Sequence, residues 1–436
     1  MATDAGGPIP RFPAGFLWGV STSAHQIEGA ADRREPSVWD VFTAGPGRVR
    51  DGSTAAVACD HYHRHREDVA LLAGLGVRAY RFSVSWPRVR SGDLGFYDRL
   101  VDDLCAAGVR PVPTLFHWDL PAGLDWRQRD TASRFAEYVS VVAGRLGDRV
   151  TKWITLNEPA EHTLLGHALG VHAPGERLLL DALPVAHHQL LAHGLAVRAL
   201  RAHGATDIGI ANSHGPTWPA SREPADVAAA EFYDTLLNRL FADPLLLGRY
   251  PDGIVASLPG GAEADLEVLA EPVDWYGVNY YAPTRIGAPR GGRTGFGGVP
   301  LPAGLPFSVR EIEDRPVTDS GWPVVPEGLT DLLTAFRDRY GDRLPPVVVT
   351  ENGCSYGGLD DQDRIAYLDG HIRALHRAVE AGVDVRGYFV WSLLDNFEWA
   401  QGYTQRFGLV HVDFETLERT PKASYAWFRE VLRAQG

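Results

Sequence analysis

Eight short apolar runs divide the chain: FLWGVSTS at 16–23, VRAYRFSVSW at 77–86, VRPVPTLFHW at 109–118, VTKWITLNE at 150–158, IGIANSHG at 208–215, VDWYGVNYY at 273–281, PPVVVTENG at 345–353 and VRGYFVWSL at 385–393. Each is rich in β-branched and aromatic residues and bounded by Gly, Pro or Asp, as strands are. Segments of helical length lie between most of them. EDVALLAGLG (67–76), FYDRLVDDLCAAG (96–108) and SRFAEYVSVVAGRLG (133–147) carry apolar residues at helical spacing and end in glycine. PEGLTDLLTAFRDRYG (326–341), RIAYLDGHIRALHRAVEAG (364–382) and PKASYAWFREVLRA (421–434) continue the pattern. A repeat of strand then helix is the signature of a parallel sheet under helical cover. Eight repeats favour a closed (β/α)8 barrel, the TIM barrel, over an open sheet.

Such a barrel needs roughly 250 residues, and the chain has 436. The surplus falls in 24–59, 159–183, 282–326 and 394–420, long stretches rich in Gly, Pro and charge. Each follows a strand and precedes a helix, which assigns it to the C-terminal face of the barrel, where active sites of this fold sit. Loops of this length in a compact domain are usually functional. No low-complexity linker interrupts the chain, so 1–436 reads as one domain.

Composition narrows the function classes. Hydrophobic residues make up 45% and charged residues 22%, which argues against disorder. A net charge of −13 disfavours nucleic acid and anionic membrane as partners. No stretch of 18 apolar residues exists to span a bilayer. Cys59, Cys105 and Cys354 are few and scattered, without CxxC spacing, so neither a disulfide framework nor a zinc cluster is expected. MATDAGGPIPRF shows no basic n-region or apolar h-region. The expectation is a cytoplasmic protein acting on a small molecule, without metal or other cofactor.

The strand ends break the apolar pattern. Gln26 follows run one closely; His117 and Trp118 end run three; Asn157 and Glu158 end run four. Asn279 to Tyr281 end run six, Glu351 ends run seven, and Trp391 sits near the end of run eight. In a barrel these ends converge on one mouth. Pro159 cannot continue a sheet ladder, and Asn352-Gly353 favours a tight turn. One difficulty is built in: ideal alternation sends Asn157 and Glu158 to opposite faces, so the strand must twist out of register for both to reach a pocket. Two carboxylates in a pocket of Trp, Tyr, Asn, Gln and His suit a hydroxyl-rich ligand. A carboxylate pair is the apparatus for cleaving a glycosidic bond, one protonated and one ionised. Arg81, in run two, is expected to point into the barrel top and keep Glu351 ionised. The cluster His61-Tyr62-His63-Arg64-His65, placed before the following helix, offers His-x-His spacing for a metal but no third ligand set, and reads as structural.

These residues resemble glycoside hydrolase family 1, the family of many β-glucosidases. FPAGFLWGVSTSAHQIEGA (12–30), CDHYHRHREDV (59–69), RFSVSWPR (81–88), FHWDLP (116–121), TLNEP (155–159), VNYY (278–281), VTENG (349–353) and WSLLDNFEW (391–399) follow in family order. The resemblance implies Glu351 as nucleophile and Glu158 as acid/base. It implies that Gln26, His117, Asn157, Glu398 and Trp399 hold the innermost sugar over Trp391, that Tyr281 hydrogen-bonds the nucleophile, and that Asn279 and Trp118 support the pocket. It further implies retention of anomeric configuration through a glycosyl-enzyme. NFEW keeps Glu398, whose negative charge would repel a phosphorylated sugar, and the presence of Glu158 points to O-glycosides. The stretch 282–326 carries no motif that resembles the family and is expected to shape the aglycone side.

The expected activity is hydrolysis of terminal non-reducing β-D-glucosyl residues by double displacement. Galactosidase, fucosidase or transglycosylase activity within the same family stays open, as do a non-catalytic sugar-binding barrel and a metal-dependent barrel hydrolase. The sequence leaves the oligomeric state open.

Overall fold

The computed structural model describes residues 7–289, 295–296, 299–300 and 304–436. All eight apolar runs form strands: β1 Leu17–Ser21, β2 Ala79–Ser83, β3 Arg110–Phe116, β4 Trp153–Asn157, β5 Ile208–Ser213, β6 Trp275–Asn279, β7 Val347–Asn352 and β8 Val385–Trp391. They run parallel, in chain order, and β1 pairs with β8 to close the barrel.

Its interior is built in layers. Every strand gives one residue to an apolar plug: Leu17, Ala79, Val112, Ile154, Ala211, Trp275, Val348 and Phe389. The plug is filled by pairing large with absent side chains, since a Cβ on Gly209 would lie 2.5 Å from the Trp275 ring. Towards the C-terminal ends the inward positions turn polar. Arg81 Nε donates to Thr114 Oγ1 at 3.1 Å, Arg81 Nη1 to the Thr350 carbonyl at 3.0 Å, and Ser21 Oγ to that same carbonyl at 3.1 Å. A separate, larger core lies between the strands and the helices outside them.

The predicted helices are present over His61–Leu75, Gly95–Ala106, Asp130–Leu146, Glu327–Tyr340, Gln362–Glu380 and Ala423–Gln435. The first corrects the sequence reading. The histidine cluster does not precede the helix; it forms its first turns. Its members part to different carboxylates: His61 Nδ1 meets Asp68 at 2.7 Å, His63 Nδ1 meets Asp60 at 2.6 Å, and His65 Nε2 meets Asp103 at 3.2 Å. Helix Leu183–Ala202 and the helical run from Pro224 to Leu247 were not individually legible.

The four long segments stand over the C-terminal face. Part of 282–326 forms an outer sheet, Thr284–Gly287 and Ser308–Arg310 with Thr217–Pro219 from the preceding loop. Residues 290–294, 297–298 and 301–303 of that segment, on which the expectation also falls, lie outside the described residues. Among the described residues no helix is long and apolar enough to cross a membrane.

Candidate active site

The loops enclose a cavity of about 710 Å³ at the C-terminal mouth. His117, Trp118, Glu158, Tyr281, Glu351, Trp391, Glu398 and Trp399 line it. Gln26, Arg81, Asn157 and Asn279 are 0% exposed and form the layer behind. Each of these four hydrogen-bonds a lining residue, so all twelve predicted positions lie in the wall of one cavity or directly behind it.

Glu351 is held in β7, where the register against both neighbouring strands shifts just before it or across it. Arg81 Nη1 donates to its Oε1 at 2.5 Å, with both side chains buried, and the Tyr281 hydroxyl donates to its Oε2 at 2.6 Å. The carboxylate therefore meets a cation and a neutral donor, one per oxygen.

Glu158 solves the alternation problem. The β4–β5 register shifts between Ile154 and Asn157, and Glu158 itself adopts the left-handed conformation, φ 47° and ψ 59°. That twist brings two consecutive side chains to the same side. Its backbone N–H still bonds the Ala211 carbonyl at 2.7 Å, and Pro159 then opens a short helix, Pro159–Glu161. Trp118 and Trp399 also have positive φ, 72° and 51°. Left-handed backbone is uncommon for bulky residues and gathers at functional sites.

One chain of hydrogen bonds joins the two glutamates. Asn279 Nδ2 donates to Glu158 Oε1 at 2.8 Å and to Asn157 Oδ1 at 3.0 Å; Arg81 Nη2 donates to that same Asn157 oxygen at 2.5 Å while its Nη1 holds Glu351. The Thr350 hydroxyl donates to Asn279 Oδ1 at 2.6 Å and so fixes which way the amide faces. Asn157 Nδ2 contacts His117 Nε2 at 3.0 Å, and Trp118 Nε1 donates to the Asn157 carbonyl at 3.0 Å.

The electrostatics of the two carboxyls diverge. Burial, then the charge of Glu351 and then Glu161, push the Glu158 carboxyl well above the usual range, while the Asn279 bond and Arg81 oppose the rise. The neutral, proton-bearing form is therefore favoured at Glu158. Burial and the Arg81 charge hold the His117 imidazole neutral, well below its usual value. Its Nδ1 has no hydrogen-bond partner among the described residues, which leaves it available to a ligand.

Gln26 Nε2 donates to Glu398 Oε2 at 3.1 Å and to Asn396 Oδ1 at 2.9 Å, with Ser23 Oγ on its other end at 2.6 Å. Burial first, and the Glu351 charge second, push Glu398 up to about 8. That rise favours the protonated carboxyl, which can donate a hydroxyl as well as accept. The rings of His117 and Trp391 stack at 5.8 Å between centroids, and those of His117 and Trp399 at 6.0 Å, giving the cavity a flat aromatic surface.

The sequence model of the family described as Glycosyl hydrolase family 1 matches residues 9–436. The chain belongs to glycosyl hydrolase family 1. It is 45% identical to thermostable β-glucosidase B of Thermobispora bispora, over 100% of this chain and 93% of that one. It is 42% identical to β-glucosidase A of Acetivibrio thermocellus, over 98% and 99%. Among solved structures it is similar to the psychrophilic β-glucosidase of Micrococcus antarcticus, with TM-score 0.92, 42% identity and 98% of each chain covered.

Sequence reasoning missed Glu161, which lines the cavity three residues after Glu158 and takes a hydrogen bond from Ser213 Oγ at 3.2 Å. Burial raises its carboxyl as well. Its only sequence signal was helical spacing from Glu158, too weak to stand out. Asn396 and Ser23, the partners of Gln26, were also missed. The Gln26–Asn396 bond spans 370 residues and has no local pattern to reveal it.

Proposed function

We propose that this family 1 chain is a retaining β-glucosidase releasing terminal non-reducing β-D-glucosyl residues from small glucosides or oligosaccharides. The observation that carries the reading is a pair of cavity-facing glutamates in opposite electrical settings. Glu351 is ion-paired to buried Arg81; Glu158 is pushed towards its neutral form. Glu351 attacks the anomeric carbon. Glu158 gives its proton to the departing glycosidic oxygen, and the alcohol leaves. A glycosyl ester on Glu351 results. Water, deprotonated by Glu158, then attacks the same carbon, breaks the ester and restores the β-configuration.

Gln26, His117, Asn157, Glu398 and Trp399 hold the sugar hydroxyls, directly or through the neighbouring wall, and Trp391 supports the ring face. Tyr281 orients Glu351, while Asn279 and Trp118 brace the pocket. Glucose is the proposed sugar because the similar proteins above are named β-glucosidases. The chain is proposed to act as one domain, supported by the closure of β1 on β8 and a family match that runs from 9 to 436. A cytoplasmic location is proposed on the three unpaired cysteines, two of them buried.

Glu351→Ala is expected to lower kcat/KM on an aryl β-glucoside by more than about 10³-fold, the scale seen when one member of a catalytic unit is removed. ¹H NMR of early wild-type turnover is expected to show β-glucose first. Substantial activity in the variant, or α-glucose as first product, overturns the reading. Glu158→Ala is expected to damage substrates with poor leaving groups far more than activated aryl glucosides; equal damage removes it from the acid role. A panel of aryl glycosides differing only in the sugar separates glucose from galactose and fucose.

A further inference from the structure

The cavity extends well beyond the two carboxyls, and one flank of its outer half is apolar where a sugar-binding extension would be polar. One flank comes from the segment after β4. Leu164, Leu165 and Leu169 project from the π-helical turn His162–Ala168 and the residue beyond it, and Leu179 and Leu180 from the short 3₁₀ turn Leu179–Ala182. Seven large apolar side chains are exposed among the described residues, and three of them, Leu179 (37%), Leu180 (41%) and Val317 (56%), border this cavity. Leu179 has φ 51°, a backbone region that bulky apolar residues rarely occupy. Leucines held against water at the rim of one cavity mark a surface that something apolar covers.

Elsewhere the outer lining is mixed, with Arg285, Arg310, Glu311, Asp319 and Ser320 among its residues. Arg285 Nη2 donates to the Ala220 carbonyl and Arg310 Nη2 to the Ala288 carbonyl, both at 3.0 Å, so each guanidinium has a donor committed to the backbone. Phe307 and Val309 line the cavity between them. A second glucose seated against the leucine flank would bury hydroxyls against methyls, each unpaired hydroxyl costing binding energy. An apolar alcohol would lose nothing of that kind and would gain from every buried methylene.

We infer that the leaving-group half of the cavity, walled by Leu164, Leu169, Leu179, Leu180 and Val317, takes a bulky apolar alcohol, so that alkyl or polycyclic β-glucosides are preferred over glucan oligomers. The inference rests on the β-glucosidase reading and narrows it. The occupant is fixed by continuity: the oxygen that Glu158 protonates is the first atom of that alcohol, and the cavity leads from it directly onto the leucines.

The test holds the sugar constant and varies the alcohol. A fully buried methylene is worth about fourfold in kcat/KM. From ethyl to octyl β-D-glucoside, kept below micelle-forming concentration, kcat/KM is expected to rise at least about 30-fold and to exceed that for cellobiose. The double variant Leu179→Ser, Leu180→Ser changes exposed positions, so its fold can be checked by circular dichroism and thermal unfolding. It is expected to lose at least about tenfold more on octyl than on ethyl glucoside. A flat series, a better rate on cellobiose, or equal losses on both glucosides overturns the inference. If p-nitrophenyl β-glucoside is turned over while the alkyl series is flat, only the inference fails. If no β-glucoside is turned over, the activity itself fails.

Discussion

Glu158 and Glu351 are the same side chain in opposite surroundings, and the difference lies in their neighbours. Arg81 and Tyr281 take both oxygens of Glu351. Glu158 has one amide donor, from Asn279, and is otherwise raised by burial and by negative charge, first that of Glu351. This coupling supplies a switch. In the proposed mechanism, once Glu351 carries a sugar as an ester its charge is gone, one of the influences raising Glu158 vanishes, and Glu158 ionises more readily to serve as the base of the second step. Glu351→Gln imitates that loss of charge. In this variant Glu158 is expected to titrate at lower pH than in the wild type, though still above an ordinary glutamate because burial persists. Carbon-detected NMR of labelled glutamate side chains measures it, and an unchanged or higher titration point would show that the charge of Glu351 does not reach Glu158. At this scale the sequence was informative where a carboxylate ended an apolar run. It was silent on Glu161, Asn396 and Ser23, whose importance comes from contacts made only after folding.

The strands were legible because β-branched runs with turn residues at each end have few other uses. The helix Leu183–Ala202 was not, because it is buried on nearly every side and shows no polar stripe against which to read a period. The end of β7 was misread in a more instructive way. Asn352-Gly353 suggested a tight turn, yet the strand continues through Asn352, whose amide donates to the Tyr280 carbonyl at 2.7 Å and accepts from Tyr388 at 2.7 Å. Gly353 answers to a close approach: a Cβ there would lie 1.8 Å from the Trp391 carbonyl oxygen at the end of β8. The glycine therefore sets the distance between the strand end that carries Glu351 and the one that carries Trp391. Gly353→Ala must push these ends apart, at about 1–3 kcal/mol or more for overpacking. Thermal unfolding is expected to show that loss, and kcat/KM on an aryl glucoside to fall with it. Retention of both stability and activity would mean that β7 and β8 can separate freely at the mouth.

At the scale of the whole molecule the barrel is divided between stability and chemistry. The apolar plug and the outer core supply burial, while the mouth concentrates carboxyls that the folded state prefers to keep neutral: Glu158, Glu161 and Glu398 are all raised. For Glu398 the sign follows directly. Its folded value, about 8, lies above its ordinary 4.5. The stability it contributes is whole below pH 4.5 and is lost as pH rises towards 8, because the unfolded chain releases the proton first. Glutamine at this position keeps an acceptor for Gln26 and has no proton to lose. The stability gap between Glu398→Gln and the wild type is therefore expected to open with rising pH, by at most about 1.4 kcal/mol per pH unit, and to level off near pH 8. That is an upper bound, since the carboxyl faces a cavity open to water. Unfolding entropy of about 2 cal/mol/K per residue converts it to a gain of about 3–4 °C in Tm near neutral pH, shrinking towards zero in acid. Parallel melting curves for the two proteins across that range would show that Glu398 ionises in the fold as it does outside it. If instead the variant is stabler and binds glucose more weakly, the carboxyl is kept at a cost to stability because the sugar needs it.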